Sequence, residues 1–139
     1  MIHKMFIELH VHDFDKVRDF YGILGFKEVS RKHANNQEYL VMEKQGTIIA
    51  FWPGNGRVFE QSHFKQFPKD TPRGYGVEIV IPVDNVFDFY DEIKDLVSIS
   101  SELKERAWGL WDFRIIDPFG YYIRITEHHN LLDPSYGNK

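Results

Sequence analysis

Cysteine is absent from the 139 residues, which excludes disulfides, thiolate metal ligands and thiol nucleophiles. A chain without cysteine fits a reducing, cytoplasmic compartment. Long apolar runs are missing too. The longest, "IIAFW" at 48–52, is far short of the roughly 20 residues that span a bilayer, so no membrane partner is expected. The start, "MIHKMFIELH", lacks the basic stretch and apolar core of a secretory signal. Basic charge is in short supply: 17 Lys and Arg stand against 21 Asp and Glu, for a formal net charge of −4. Without a basic stripe, no nucleic-acid partner is expected. No serine lies in a nucleophile-type turn, and "PGNG" lacks the spacing and the lysine of a phosphate-cradling loop.

Aromatic residues, by contrast, are plentiful. Twelve Phe, seven Tyr and three Trp make up 16% of the chain, enough to line a site as well as a core. The length suits one domain that buries roughly 70% of its unfolded surface.

Hydrophobic periodicity divides the chain into two similar halves. In "MFIELHV", Ile7, Leu9 and Val11 share one side of a strand, while Phe6, Glu8 and His10 share the other. Asp13 is placed to cap a helix in which Val17, Phe20, Tyr21 and Leu24 form one face, and Gly25 suits its end. Three strand-like runs follow, "FKEVSRK", "EYLVMEK" and "TIIAFWP", separated by "HANNQ" and "KQG". The second half repeats the order. "GVEIVIPV" is followed by a helix opening at Asp84, with Val86, Phe89, Tyr90, Ile93 and Leu96 at helical spacing. Then come "LVSISSEL", "LWDFRII" and "YYIRITE". "DFY" occurs in both helices, at 19–21 and 88–90. The spacing predicts an α+β fold of two βαβββ modules, a duplicated unit. The expected boundaries are about 1–52 and about 74–127. A connecting segment, 53–73, bears Phe59, Phe64 and Phe67 as pins or a lid, and an irregular tail runs over 128–139.

The chain resembles the vicinal oxygen chelate superfamily, which includes glyoxalase I, bleomycin resistance proteins and extradiol dioxygenases. The likeness rests on the paired modules, on "DFYGILGF" in the first helix and on "WGLWDFRIIDPFGYYIRITE" near the end, and runs from about Phe6 to Glu127. It implies two curved half-barrel sheets, each around a cleft, with helices outside and a homodimer as the assembly. Metal-dependent members carry one ligand on the first and one on the last strand of each module. Those positions here are Phe6, Ala50, Glu78 and Arg124. Phe and Ala offer no lone pair, and an arginine is a permanent cation with donors only. No metal or other cofactor is therefore expected.

Glu78 and Arg124 are then either a structural ion pair or, through Arg124, a site for an anionic or carbonyl group. Trp108, at the "WG" of the motif, and Trp52, on the face of Ala50, offer flat stacking surfaces. Glu8 and His10 complete the candidate ligand-binding residues. No catalytic residue is assigned. The expected function is metal-free binding of a small molecule in an aromatic cleft, like the bleomycin resistance proteins. The alternative is a glyoxalase-like lyase or other enzyme on a small oxygenated substrate, with a non-standard metal site or with Glu78 as base.

Overall fold

The computed structural model describes residues 2–34, 37–53 and 55–133. The expected turn at Asn35 and Asn36, Gly54 of the connecting segment, and the tail from Pro134 onward lie outside the described residues. The chain forms two compact units, Met1–Thr71 and Pro72–Lys139.

The first unit runs β1 (Ile7–Val11), α1 (Phe14–Ile23), β2 (Lys27–Ala34), β3 (Gln37–Lys44) and β4 (Thr47–Pro53), then the short α2 (Asn55–Glu60) and a single 3-10 turn at Phe64–Gln66. The second runs β5 (Ile79–Val83), α3 (Val86–Ile93), β6 (Ser98–Glu105), β7 (Trp111–Ile116) and β8 (Tyr122–Glu127). Strand order is β1-β4-β3-β2 in one sheet and β5-β8-β7-β6 in the other. In each, the first strand pairs in parallel with the last and the remaining pairs are antiparallel. The expected duplication of a βαβββ module is present. No helix among the described residues is long and apolar enough to cross a membrane.

The register repeats as well as the order. Ile7 lies opposite Ile49 in the first sheet, and Ile79 opposite Ile123 in the second. The second strand of each module carries a bulge at the equivalent step, between Glu28 and Ser30 and between Ile99 and Ser101. The residue passed over at the first bulge is Val29, which explains why this valine is exposed.

Helix starts and stops follow local chemistry. The Asp13 carboxylate accepts hydrogen bonds from the backbone N–H of Asp15 and Lys16, which would otherwise lack partners. In the second unit the cap is Asn85, one residue beyond the expected Asp84, and its side chain accepts from the Asp88 N–H. Both apolar stripes use the same spacing, Val17-Phe20-Tyr21-Leu24, all buried, against Val86-Phe89-Tyr90-Ile93, of which Val86 and Ile93 are buried and the two rings partly so. The cap precedes the first valine by four residues in α1 and by one in α3, so α1 starts about one turn earlier. Leu96 lies past the end of α3 and is exposed, so it does not extend the stripe. Gly25, at φ +95°, ends α1, and the Phe26 N–H reaches back to the Tyr21 carbonyl. Between β3 and β4, Gln45 and Gly46 both take positive φ, the geometry of a two-residue hairpin loop.

Each helix covers one face of its sheet. Tyr21 packs against Phe51 of β4 with ring centroids 5.0 Å apart, and Tyr90 packs against Phe113 of β7 at the same 5.0 Å. Leu40 faces Phe51 across β3 and β4, and Phe113 faces Ile125 across β7 and β8. The modules thus exchange which strand carries the ring and keep one aromatic and one aliphatic residue at the pair, a volume-conserving swap.

The two N-caps give a direct test. Asp13→Ala should lower stability by about 1 kcal/mol, read by urea unfolding followed through tryptophan fluorescence. An unchanged midpoint would remove the cap from the account of α1.

Candidate functional site

With one face of each sheet under its helix, alternation sends every second side chain to the other, open face. In the second unit Phe113, Ile115, Ile123 and Ile125 are buried on the helix side. Asp112 and Arg114 of β7 and Tyr122, Arg124 and Thr126 of β8 therefore stand on the open face. The register sets Arg114 directly opposite Arg124 and Asp112 opposite Thr126. Val80 of β5 lies opposite Arg124, so Glu78, two residues earlier, comes up on the same side.

These charges form one cluster. Glu78 Oε1 lies 3.5 Å from Arg124 Nε and 3.6 Å from Arg114 Nη1, so a single carboxylate oxygen serves two guanidiniums. Asp112 is fully buried and lies 2.5 Å from Arg106 Nε and 3.4 Å from Arg114 Nε. Arg106 also donates through Nη2 to the Ser101 hydroxyl at 3.0 Å. Arg114 donates through Nη1 to the Tyr122 hydroxyl at 3.0 Å. Burial acts to lower the Arg114 pKa. Its hydrogen bonds to Tyr122 and Asp112 and its attraction to Asp112 and Glu78 outweigh that, and the guanidinium is held above its ordinary value. Arg124 differs from Arg114: its side chain is 19% exposed, its Nε is buried, and it makes no hydrogen bond among the described residues. Its other neighbour is Trp108, from the loop between β6 and β7, with the guanidinium carbon 5.8 Å from the ring centroid.

The turn that aligns β7 with β8 is the expected one. Gly120, at φ +99°, closes Asp117-Pro118-Phe119-Gly120 by donating to the Asp117 carbonyl at 3.1 Å. The buried Asp117 carboxylate accepts from the N–H groups of Phe119 and Tyr121 at 2.9 and 2.8 Å.

The open face of the first unit has a different character. Glu8 lies opposite Ala50, and His10 opposite Trp52. The Tyr39 hydroxyl donates to Glu8. Burial first, then that bond and the charge of Glu8, push the Tyr39 pKa upward. His10 Nε2 is 3.5 Å from Glu8 Oε2, and Phe64 meets the His10 ring edge-on at 5.3 Å. Phe64 thus pins part of the connecting segment to this face. Tyr39 also meets Trp52 edge-on, with centroids 5.8 Å apart.

The six residues picked from the sequence fall into two groups: Glu78, Arg124 and Trp108 in one unit, and Glu8, His10 and Trp52 in the other. Glu78 and Arg124 do pair, at an ion-pair distance slightly too long for a good hydrogen bond. Sequence reasoning missed Arg114, Asp112, Arg106, Tyr122 and Tyr39. The signal for two of them, Arg114 and Asp112, was present. "WDFRII" alternates, and a hairpin turn at 117–120 brings 114 opposite 124 and 112 opposite 126.

The positions at which metal-dependent relatives of the resembled family hold a cation do not fit one here. Phe6 is 52% exposed and carries no donor, and Ala50 is a buried methyl group. Glu78 Oε1 is already shared by two guanidiniums, and Arg124 has no lone pair to give.

The sequence pattern of the Glyoxalase/Bleomycin resistance protein/Dioxygenase superfamily matches residues 5–125, and the chain belongs to that superfamily. Several solved structures share the fold. A superfamily member from Sphaerobacter thermophilus superposes with a TM-score of 0.68 at 18% identity, covering 92% of this chain and 98% of that one. The bleomycin resistance determinant encoded on the transposon Tn5 gives 0.64 at 18% identity, covering 93% and 100%. A bleomycin-binding protein complexed with bleomycin gives 0.59 at 17%, covering 92% and 100%. No curated protein sequence matches the chain.

The cluster makes an unequal demand on its members. Asp112→Ala should cost about 3–5 kcal/mol, because it leaves the nearly buried Arg106 without its carboxylate. Arg124→Ala should cost at most about 1 kcal/mol, because Arg114 stays beside Glu78. Guanidinium unfolding of both variants distinguishes them, and equal losses would contradict the sharing of Glu78.

Proposed function

We propose that this chain binds a small molecule without a metal ion, as a member of the bleomycin-resistance-like branch of its superfamily. The observation that carries this reading is the state of the four metal-ligand positions. They hold Phe6, Ala50, Glu78 and Arg124, and two arginines lie within 3.5 and 3.6 Å of the one carboxylate among them. A substrate proton bound for Glu78 would have to reach a carboxylate that already faces two guanidiniums. What both open faces offer instead is aromatic surface beside charge: Trp108 and Tyr122 next to arginines, Trp52 and Tyr39 next to Glu8. Such surfaces hold flat ligands at low entropic cost. The bleomycin complex of a relative with the same fold supports the reading.

Metal loading tests the first half of it. Protein incubated with zinc, manganese, nickel and ferrous ions, then desalted, should retain well under one equivalent of any of them by elemental mass spectrometry. A stoichiometric metal that survives desalting would overturn the metal-free reading and favour an enzyme.

We further propose that the chain is a homodimer. Strands β1 and β2 are the edges of one sheet, and β5 and β6 those of the other. Exposed strand edges invite pairing and are usually covered. The approach to β1 carries Met5, Phe6 and Ile7, which are 82%, 52% and 45% exposed. Sedimentation equilibrium should give twice the chain mass of 16.5 kDa, and Phe6→Glu should shift it toward that mass. A monomer at every concentration would count against the dimer.

A further inference from the structure

We propose that Arg124 anchors a carboxylate of the ligand, so that the molecule this protein binds is a flat organic anion. The inference rests on the small-molecule-binding reading and narrows it to a chemical class.

Three observations carry it. The first is a charge imbalance. Around β7 and β8 the clustered groups are Arg106, Arg114 and Arg124 against Glu78 and Asp112, three positive against two negative. One positive charge is left over on a half-buried face, and one ligand carboxylate brings the sum to zero. The second is the distribution of hydrogen bonds. Arg106 donates to Asp112 and Ser101, and Arg114 to Tyr122 and Asp112. Arg124 donates to nothing among the described residues, and its approach to Glu78 is through Nε at 3.5 Å. A guanidinium has five N–H donors in a planar fork that matches a carboxylate. The buried Nε faces Glu78, and the two terminal nitrogens of the fork donate to nothing among the described residues, so an acceptor arriving at that end is favoured. The third is the indole of Trp108 against the Arg124 guanidinium at 5.8 Å. A ligand carboxylate on that fork places the body attached to it beside a flat aromatic wall, which selects a planar scaffold.

Arg124 is singled out over Arg114 because Arg114 is already fixed by three partners, Tyr122, Asp112 and Glu78. When a ligand takes Arg124, Glu78 keeps Arg114. Neither carboxylate is then left without a cation.

Three probes with one ring system separate the possibilities: 2-naphthoate, 2-naphthamide and protonated 2-naphthylmethylamine, each titrated calorimetrically into the full chain. The carboxylate should bind about tenfold or more tightly than the amide, the usual scale of a charge-assisted hydrogen bond, and the amine most weakly. Arg124→Gln should remove the advantage of the carboxylate and leave amide binding within about twofold. Arg124→Lys should restore part of the advantage, because it returns the charge without the fork. Should Arg124→Gln fail to fold, the wild type still decides: salt should weaken naphthoate binding and leave naphthamide binding unchanged. Equal binding of acid and amide, or tighter binding of the amine, overturns the carboxylate anchor and leaves the binding reading standing. Failure of all three probes to bind overturns both.

Discussion

Parallel pairing of the first strand with the last is the constraint on which each module is built. Two parallel neighbours cannot be joined by a tight turn, so the chain between them must travel. Here it travels through one helix and two antiparallel strands before returning. The helix covers one face and leaves the other to side chains drawn from both ends of the module. In the second unit this brings Glu78, next to the start of β5, to Arg124, forty-six positions on, while the hairpin from β7 sets Arg114 beside it. Two guanidiniums directly opposite on one face repel. The parallel partner supplies the carboxylate that offsets them. The electrostatics of the open face follow from the strand order and need no loop to assemble them.

The same backbone carries two different surfaces. Phe6 and Glu78 occupy equivalent positions by register, as do Ala50 and Arg124, and Glu8 and Val80. The bulge and the strand pairs are retained between modules, because each is fixed by backbone hydrogen bonding that side-chain changes on the open face do not disturb. The open faces are free to diverge. One gathers Glu8, His10, Tyr39, Trp52 and Phe64, and the other gathers three arginines with Trp108 and Tyr122.

Much of the fold was legible in the sequence because it rests on local signals. The alternation in β1, the 17-20-21-24 stripe, the Asp13 cap, Gly25 and the Asp117–Gly120 turn each follow from a short-range rule, and each stands where that rule puts it. The displaced cap at Asn85 and the shorter α3 did not follow, because Asp84 and Asn85 are both good caps and the local rule does not choose between them. In the candidate site, the Glu78–Arg124 pair was legible through the resemblance. The sharing of Glu78 with Arg114 was not. It depends on the lateral register of three strands, and that requires counting through the hairpin. Arg106 was least legible of all. It lies just past β6, and only the return of the loop at Trp108 and Gly109 brings its guanidinium to Asp112.

An arginine and a divalent cation repel each other. A unit-charge pair at 4 Å is worth about 4 kcal/mol at an effective dielectric of 20, and a divalent ion doubles the repulsion. With Phe6 and Ala50 contributing no donor, a metal would face that repulsion with Glu78 as its sole ligand among the four positions. A half-buried carboxylate without a metal needs cationic partners of another kind, and Arg114 and Arg124 supply them at 3.6 and 3.5 Å. Fixed guanidiniums differ from a metal in what they leave open. A metal site is completed by ligands that donate electron pairs. A guanidinium cluster with one positive charge in excess is completed by an anion that accepts hydrogen bonds. On the proposed reading, a ligand of this chain meets the N–H donors of Arg124 rather than a coordination position.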